Sequence, residues 1–164
     1  VYEAVYASEL ATNRRNVGIA NLLEEQERIW LDPEAATDLY TRQCALSVTT
    51  RDLARMAATL ANGGCQPKGG RQVIEPLICQ HVLAVMVTAG LYETSGDWLY
   101  DIGLPGKSGV SGGIITVAPG KGGLATYSPP LDGTGNSVRG QLTAAFLSER
   151  LGLNLFASRP ARLG

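Results

Sequence analysis

The sequence predicts an α+β fold in which helices come first, a short antiparallel sheet follows and one helix closes the chain. Three observations carry this reading. Ala and Leu are dense over residues 1–62 at helical spacing. Two short apolar runs, 113–118 and 124–128, flank the turn-forming Pro119-Gly120-Lys121-Gly122-Gly123, a hairpin signal. Leu142, Ala145, Phe146 and Leu151 then return to helical spacing over 141–151. With 164 residues, 45% hydrophobic and 18% charged, the chain can bury a sizeable core and is too apolar for bulk disorder.

In chain order, Val17, Ala20, Leu22 and Leu23 give the first apolar face. Asp32-Pro33 starts a helix, with Asp32 as cap and Pro33 at the first helical position; that helix carries Ala36, Leu39, Tyr40 and Cys44. Thr49 and Asp52 have capping-box spacing ahead of Leu53, Met56, Ala57 and Leu60, and Asn62-Gly63-Gly64 ends that helix. Residues 63–75 read as a loop. Residues 76–89 read as a helix with Leu77, Val82, Val85 and Met86 as its apolar face. So few strands make a thin sheet with an edge that needs a partner. Trp30 and Trp98 are expected to pack, and His81 to lie on a helix surface.

Lys plus Arg number 14 against 15 Asp plus Glu, which offers no electrostatic case for a nucleic-acid or acidic-membrane partner. Cys44, Cys65 and Cys79 contain no Cys-x-x-Cys and stand with a single histidine, so neither a disulfide framework nor a four-ligand zinc site is expected, and no metal or cofactor. A reducing, cytoplasmic compartment follows from that cysteine usage. No apolar run approaches the roughly 20 residues of a membrane helix. The chain opens on Val1 in a helix-like segment, with neither Met nor signal pattern, and is expected to be part of a longer protein.

Several segments could carry chemistry. Gly106-Lys107-Ser108 lacks the earlier glycine of a phosphate loop, where Asp101 stands, and leads toward a strand. Asp132, Thr134 and Asn136 alternate like the start of a calcium loop, but the twelfth position is Thr143, so a capped Gly-rich turn is expected. Lys107-Ser108-Gly109-Val110 at a strand edge puts a cation and a hydroxyl beside an unobstructed backbone. Such a backbone suits a carboxylate or amide substrate, and its N–H groups could face an oxyanion. Glu9 and Asn16 are seven apart and share a face if the segment is helical throughout.

Taken together, these motifs resemble the serine-dependent glutaminases, relatives of β-lactamases and penicillin-binding proteins. The likeness runs through Glu9 with Arg15-Asn16, Asp38-Leu39-Tyr40, Gln43-Cys44, and the stretch from Asp52-Leu53-Ala54 to Asn62-Gly63-Gly64. It continues through Met86, Gly90-Leu91-Tyr92, Ser95-Gly96, Gly103-Leu104-Pro105-Gly106-Lys107-Ser108-Gly109-Val110, Gly112-Gly113-Ile114, Ser128-Pro129, Leu131-Asp132 and Gly135-Asn136-Ser137.

The resemblance implies a β-lactamase-like fold, of which residues 1–164 are the C-terminal part of one catalytic domain, helical over about 1–90, with sheet and closing helix over about 97–155. It implies L-glutamine as substrate. Glu9, Asn16, Tyr40, Tyr92 and Val110 match the family's glutamine-binding positions. Glu9 would pair with the α-ammonium and Asn16 would help hold that end. Tyr40 and Tyr92 would flank the amide, one of them moving a proton. The Val110 N–H would be half of an oxyanion hole, and Ser108 would line the strand side. The family attacks the amide with a serine whose base is the lysine of a Ser-x-x-Lys motif. This chain has no such motif, which would lie upstream of Val1 on an N-terminal portion, a partner along with further copies of the enzyme. Two alternatives stand beside this: a non-catalytic fragment with the same fold, and a penicillin-recognising relative, which Lys-Ser-Gly permits but Glu9 with Asn16 and Tyr92 before Ser95-Gly96 disfavour. The family often has Ala at position 106 and Gly at 111; all are small, so close backbone approach should survive Gly106 and Ser111.

Overall fold

A computed structural model describes residues 1–158, and residues 159–164 of the expected domain lie outside that description. The chain forms two compact units, Val1–Val48 and the remainder from Thr49. The first is three helices: α1 (Glu3–Thr12), α2 (Arg14–Glu25) and α3 (Pro33–Cys44). Asp32 caps α3 as expected, its Oδ1 accepting from the Glu34 and Ala35 N–H groups at 3.0 Å each. The condition for Glu9 and Asn16 to share a face, one helix throughout, is not met: the helix is broken at Asn13, with φ −80° and ψ 16°. Asn competes locally for backbone hydrogen bonds, and the Thr12 hydroxyl bonds back to the Ser8 carbonyl at 3.1 Å; both loosen a helix.

No residue of α1 is buried, so polar contacts hold it to α3. The Tyr2 N–H donates to the Ala45 carbonyl at 2.7 Å, and the Tyr6 hydroxyl donates to Asp38. Arg42 meets the same carboxylate at 2.8 Å and lies 4.6 Å over the Tyr6 ring. The bond from Tyr6 holds the Asp38 carboxyl below its ordinary value, and that bond in turn raises the Tyr6 phenol. Trp30 does not pack as expected: it is 96% exposed, in the connection between α2 and α3.

The second unit centres on the sheet β1 (Gly106–Ser108), β2 (Gly113–Ala118) and β3 (Gly122–Tyr127), antiparallel in the order β1-β2-β3. Around it stand α4 (Thr50–Ala61), α5 (Pro76–Ala89), a single 3-10 turn (Tyr92–Thr94), α6 (Ser95–Ile102) and α7 (Val138–Arg150). The Thr49–Asp52 capping box forms in both directions, and α5 begins and ends where the sequence places it. Lys-Ser-Gly does not merely precede a strand: Gly106–Ser108 is one, pairing Lys107 with Ile115 and Ser108 with Ile114. Helix α6 was not anticipated, since Gly96 breaks its pattern; Trp98 and Ile102, four apart and buried, and left-handed Gly103 are its signals.

Side chains alternate across β2 and so build two cores. Ile114 and Ala118 join Leu91, Trp98, Ile102, Leu104 and Ala144 on the α6–α7 face. Val117 joins Ala57, Leu60, Ala61, Cys79 and Met86 on the α4–α5 face. Of the expected faces of α5 and α7, Met86 is buried and Val82 and Ala145 pack against the cores, but Leu77, Val85, Leu142, Phe146 and Leu151 are exposed, and Cys79 and Ala144 bury in their place. Helical spacing identifies two possible stripes, and the small Cys79 and Ala144 bury where larger neighbours such as Leu77 and Leu142 do not. His81 is exposed, as expected.

Close approach of α4 to β3 depends on Gly123, where a Cβ would lie 2.5 Å from Ala57 Cβ. At the other end, Asp132 organises the loop before α7. Its Oδ1 accepts from the Thr134 N–H at 2.9 Å, the Thr134 hydroxyl at 2.7 Å and the Asn136 N–H at 3.0 Å, and Oδ2 accepts from Gln141 Nε2 at 2.8 Å. This is the capped turn the sequence predicts. These donors, the Asn136 N–H first, hold the carboxyl well below its ordinary range.

Gly123→Ala should destabilise the fold by an overpacking cost of about 1–3 kcal/mol and so lower the thermal unfolding midpoint. Gly122→Ala, where a Cβ meets nothing within 4 Å, should leave it nearly unchanged. Calorimetry on both variants checks the contrast. A group whose folded pKa is depressed adds stability above its unfolded value, about 3.9 for Asp, and loses it as pH falls through the folded value. Asp132→Asn should therefore destabilise the protein at neutral pH, and the gap to wild type should close on acidification below about pH 4 in denaturant titrations.

Candidate functional site

In the first unit, Asn16 on α2 and Tyr40 on α3 line one cavity of about 420 Å³, with Ile19, Ala20, Leu23, Ile29, Ala36 and Thr37. Two polar groups over an apolar floor suit the polar end of a small amphiphilic molecule. Glu9 is exposed near the end of α1 and is not among the lining residues. The break at Asn13 means that Glu9 and Asn16 stand on separate helices, so sequence spacing alone does not put them on one face.

The second unit gathers its candidates at the end of β1. There the Ser108 N–H donates to the Gly90 carbonyl at 3.1 Å, which anchors the strand to the end of α5. Gly90 allows this, since a Cβ there would overlap the Gly106 carbonyl. Ser108 is 5% exposed, and its Oγ has no hydrogen-bond partner among the described residues. Beyond it the chain turns through Gly109–Gly112, with the Gly109 N–H on the Gly113 carbonyl at 2.9 Å and the Gly112 N–H on the Gly109 carbonyl at 2.9 Å. The Val110 N–H takes no acceptor among the described residues, and Val110 is 71% exposed. A backbone N–H left without an acceptor at a tight turn is the type of donor that meets a developing oxyanion.

Tyr92 stands beside this turn. A Cβ on Gly135 would lie 3.7 Å from the Tyr92 ring and 3.8 Å from the Val110 side chain, so that one backbone position touches both. The Lys107 ammonium sits 5.3 Å from the centre of the Tyr92 ring and also donates to the Ser108 carbonyl. Tyr92, Lys107, Ser108 and Val110 thus form one group. Sequence reasoning placed three of these in the site and gave Lys107 only as a strand-edge cation.

It also missed that Tyr92 is left-handed, with φ 51°, a conformation a bulky residue rarely takes. No sequence signal marks it other than the preceding Gly90-Leu91. Gly106 permits the close approach expected there. A Cβ there would lie 2.6 Å from the Trp98 indole, which Trp98 Nε1 fixes by donating to the Leu104 carbonyl at 2.7 Å. Ser111 is exposed and meets no such constraint.

Among the described residues no three His, Cys, Asp or Glu side chains gather as a metal set, and no single helix is long and apolar enough to cross a membrane. The cysteines are free, Cys44 exposed and Cys79 buried, with the Cys79 thiol donating to the Leu60 carbonyl at 3.2 Å and raised by that burial.

Comparison with known proteins sets these features in a family. A glutaminase family model matches residues 1–156. The chain is 63% identical to glutaminase 2 of Yersinia pestis over 158 residues, covering 96% of this chain and 46% of that protein. Among solved structures, a probable glutaminase, ybaS, superposes with a TM-score of 0.90 at 47% identity, covering 94% of this chain and 50% of the other. A probable glutaminase from Bacillus subtilis complexed with 6-diazo-5-oxo-L-norleucine superposes at 0.89 with 33% identity, covering 95% and 54%. The chain spans about half the length of the curated relatives it matches. These structural neighbours share its α+β fold of the β-lactamase-like kind. With nearly every described residue inside the matched region, the chain belongs to the glutaminase family.

Proposed function

We propose that this chain is the glutamine-gripping part of a cytoplasmic glutaminase, which hydrolyses L-glutamine to L-glutamate and ammonia. The family match over residues 1–156 carries the proposal. The B. subtilis relative supports it, because the molecule complexed with it is an L-amino acid with its ketone at the carbon that bears the amide in glutamine.

In the first unit, Glu9 is the charge partner of the substrate α-ammonium, Asn16 holds the same end, and Tyr40 flanks the side-chain amide. In the second unit, Tyr92 flanks the side-chain amide, the Val110 N–H meets its oxygen, and Ser108 lines the strand. A serine hydroxyl attacks the amide carbon, the C–N bond breaks and ammonia leaves with the serine's proton. Water then cleaves the acyl-enzyme to glutamate and frees the serine. The serine and its lysine base are assigned to a Ser-x-x-Lys outside this chain, in an N-terminal portion of the same enzyme. The exposed Leu77, Val85, Leu142 and Phe146 and the outer edge of β3 support such a partner, since each leaves apolar surface or backbone groups to be covered. Assembly into homo-oligomers belongs to the same proposal. The chain alone is inactive on this reading.

Ammonia release from glutamine should be absent with this chain alone and should appear when the N-terminal portion is supplied. Turnover by the chain alone contradicts the assignment of the nucleophile. In the complete enzyme, Glu9→Gln should raise KM about ten- to a hundredfold, because a charge-assisted bond of about 1.5–3 kcal/mol is lost. An unchanged KM removes Glu9 from the site.

A further inference from the structure

We propose that Ser95, Thr94 and Asn136 are positioning residues for Tyr92, holding it in a left-handed turn that relaxes without them. The inference rests on the reading of Tyr92 as a group beside the reacting amide and adds what keeps it there.

A tyrosine at φ 51° is strained, and such a conformation persists only where its surroundings over-determine it. Both peptide groups that flank Tyr92 are tied down. On the side before it, the Leu91 N–H donates to Ser95 Oγ at 3.0 Å. The Leu91 carbonyl accepts from the Thr94 N–H at 3.1 Å and from the Thr94 hydroxyl at 2.9 Å. On the side after it, the Tyr92 carbonyl accepts from the Ser95 hydroxyl at 2.9 Å. The Leu91 side chain is fully buried in the α6–α7 core, so the turn cannot shift as a body.

Proton directions make Asn136 irreplaceable by an acid. The Thr94 hydroxyl gives its proton to Leu91, and the Thr134 hydroxyl gives its own to Asp132 at 2.7 Å. Each must therefore accept from Asn136 Nδ2, which lies 3.0 Å from the first and 2.9 Å from the second. Asn136 is itself fully buried, and its Oδ1 has no partner among the described residues, a cost that a side chain with only a packing role would not carry. The next residue back, Gly135, puts bare backbone against the Tyr92 ring and Val110. The Asp132 loop thus supports the Tyr92 turn from one side while Ser95 closes it from the other.

The test measures kcat and KM for glutamine in the complete enzyme, for Ser95→Ala, Thr94→Val and the isosteric Asn136→Asp, each in wild-type and Tyr92→Phe backgrounds. Loss of registration should lower kcat about ten- to a hundredfold in the wild-type background, with KM changed far less. In the Tyr92→Phe background the same substitutions should lower it no further. A reduced melting temperature with unchanged kcat, measured below the transition, would make these residues structural only and overturn the inference. Equal losses in both backgrounds would overturn it too, by showing an effect that bypasses Tyr92. Thr94→Val removes one hydroxyl at constant shape and keeps the test open if a buried substitution prevents folding. Full activity of Tyr92→Phe by itself would instead refute the role of the phenol, a result distinguishable from either of these.

Discussion

Backbone has to lie against backbone in the second unit, and most of what surrounds the candidate site follows from that constraint. Three strands make a sheet barely wide enough to be covered on both faces. Gly123 lets α4 settle onto β3, Gly90 lets the end of α5 reach β1, and Gly106 leaves room for the Trp98 ring. Each position has its neighbour inside the radius a Cβ needs. The consequence for function is that β1 is pinned at Ser108 by the Gly90 carbonyl, so the turn carrying Val110 leaves from a fixed point.

Fixed elements then carry a strained one. Tyr92 lies directly after Gly90-Leu91, on the short connection from α5 to α6, where no regular helix governs its dihedrals. Buried hydroxyls and one carboxamide govern them instead. Strain of this type is common where a side chain must be presented to a ligand in one geometry. The first unit works differently. Helix α1 buries nothing and is held by a half-exposed tyrosine, carboxylate and guanidinium, an arrangement that salt and solvent weaken.

What could be read from the sequence divides along the same line. Local chemistry was legible: the Asp32 and Thr49 caps, the extent of α5, strand β2 and the Asp132 turn all depend on residues a few positions apart. Tertiary choices were not. Which stripe of α5 and α7 is buried depends on what the sheet offers opposite, and the small side chains Cys79 and Ala144 won over larger neighbours. Helix α6 hid behind Gly96, and the break at Asn13 required one residue to outweigh a helical pattern on both sides. The candidate site was named as a set of residue types through family resemblance. The left-handed Tyr92, its buttress and the Lys107 contact lie in dihedrals and long-range hydrogen bonds that spacing does not encode.

The most direct test of the account is a crystal structure of the complete enzyme with L-glutamine bound, its nucleophile disabled. The account predicts the side-chain amide oxygen about 2.7–3.1 Å from the Val110 nitrogen, with the Tyr92 ring alongside and its φ still positive. Glutamine bound with its amide away from the turn after β1, or Tyr92 relaxed to an ordinary negative φ in the occupied site, would contradict it.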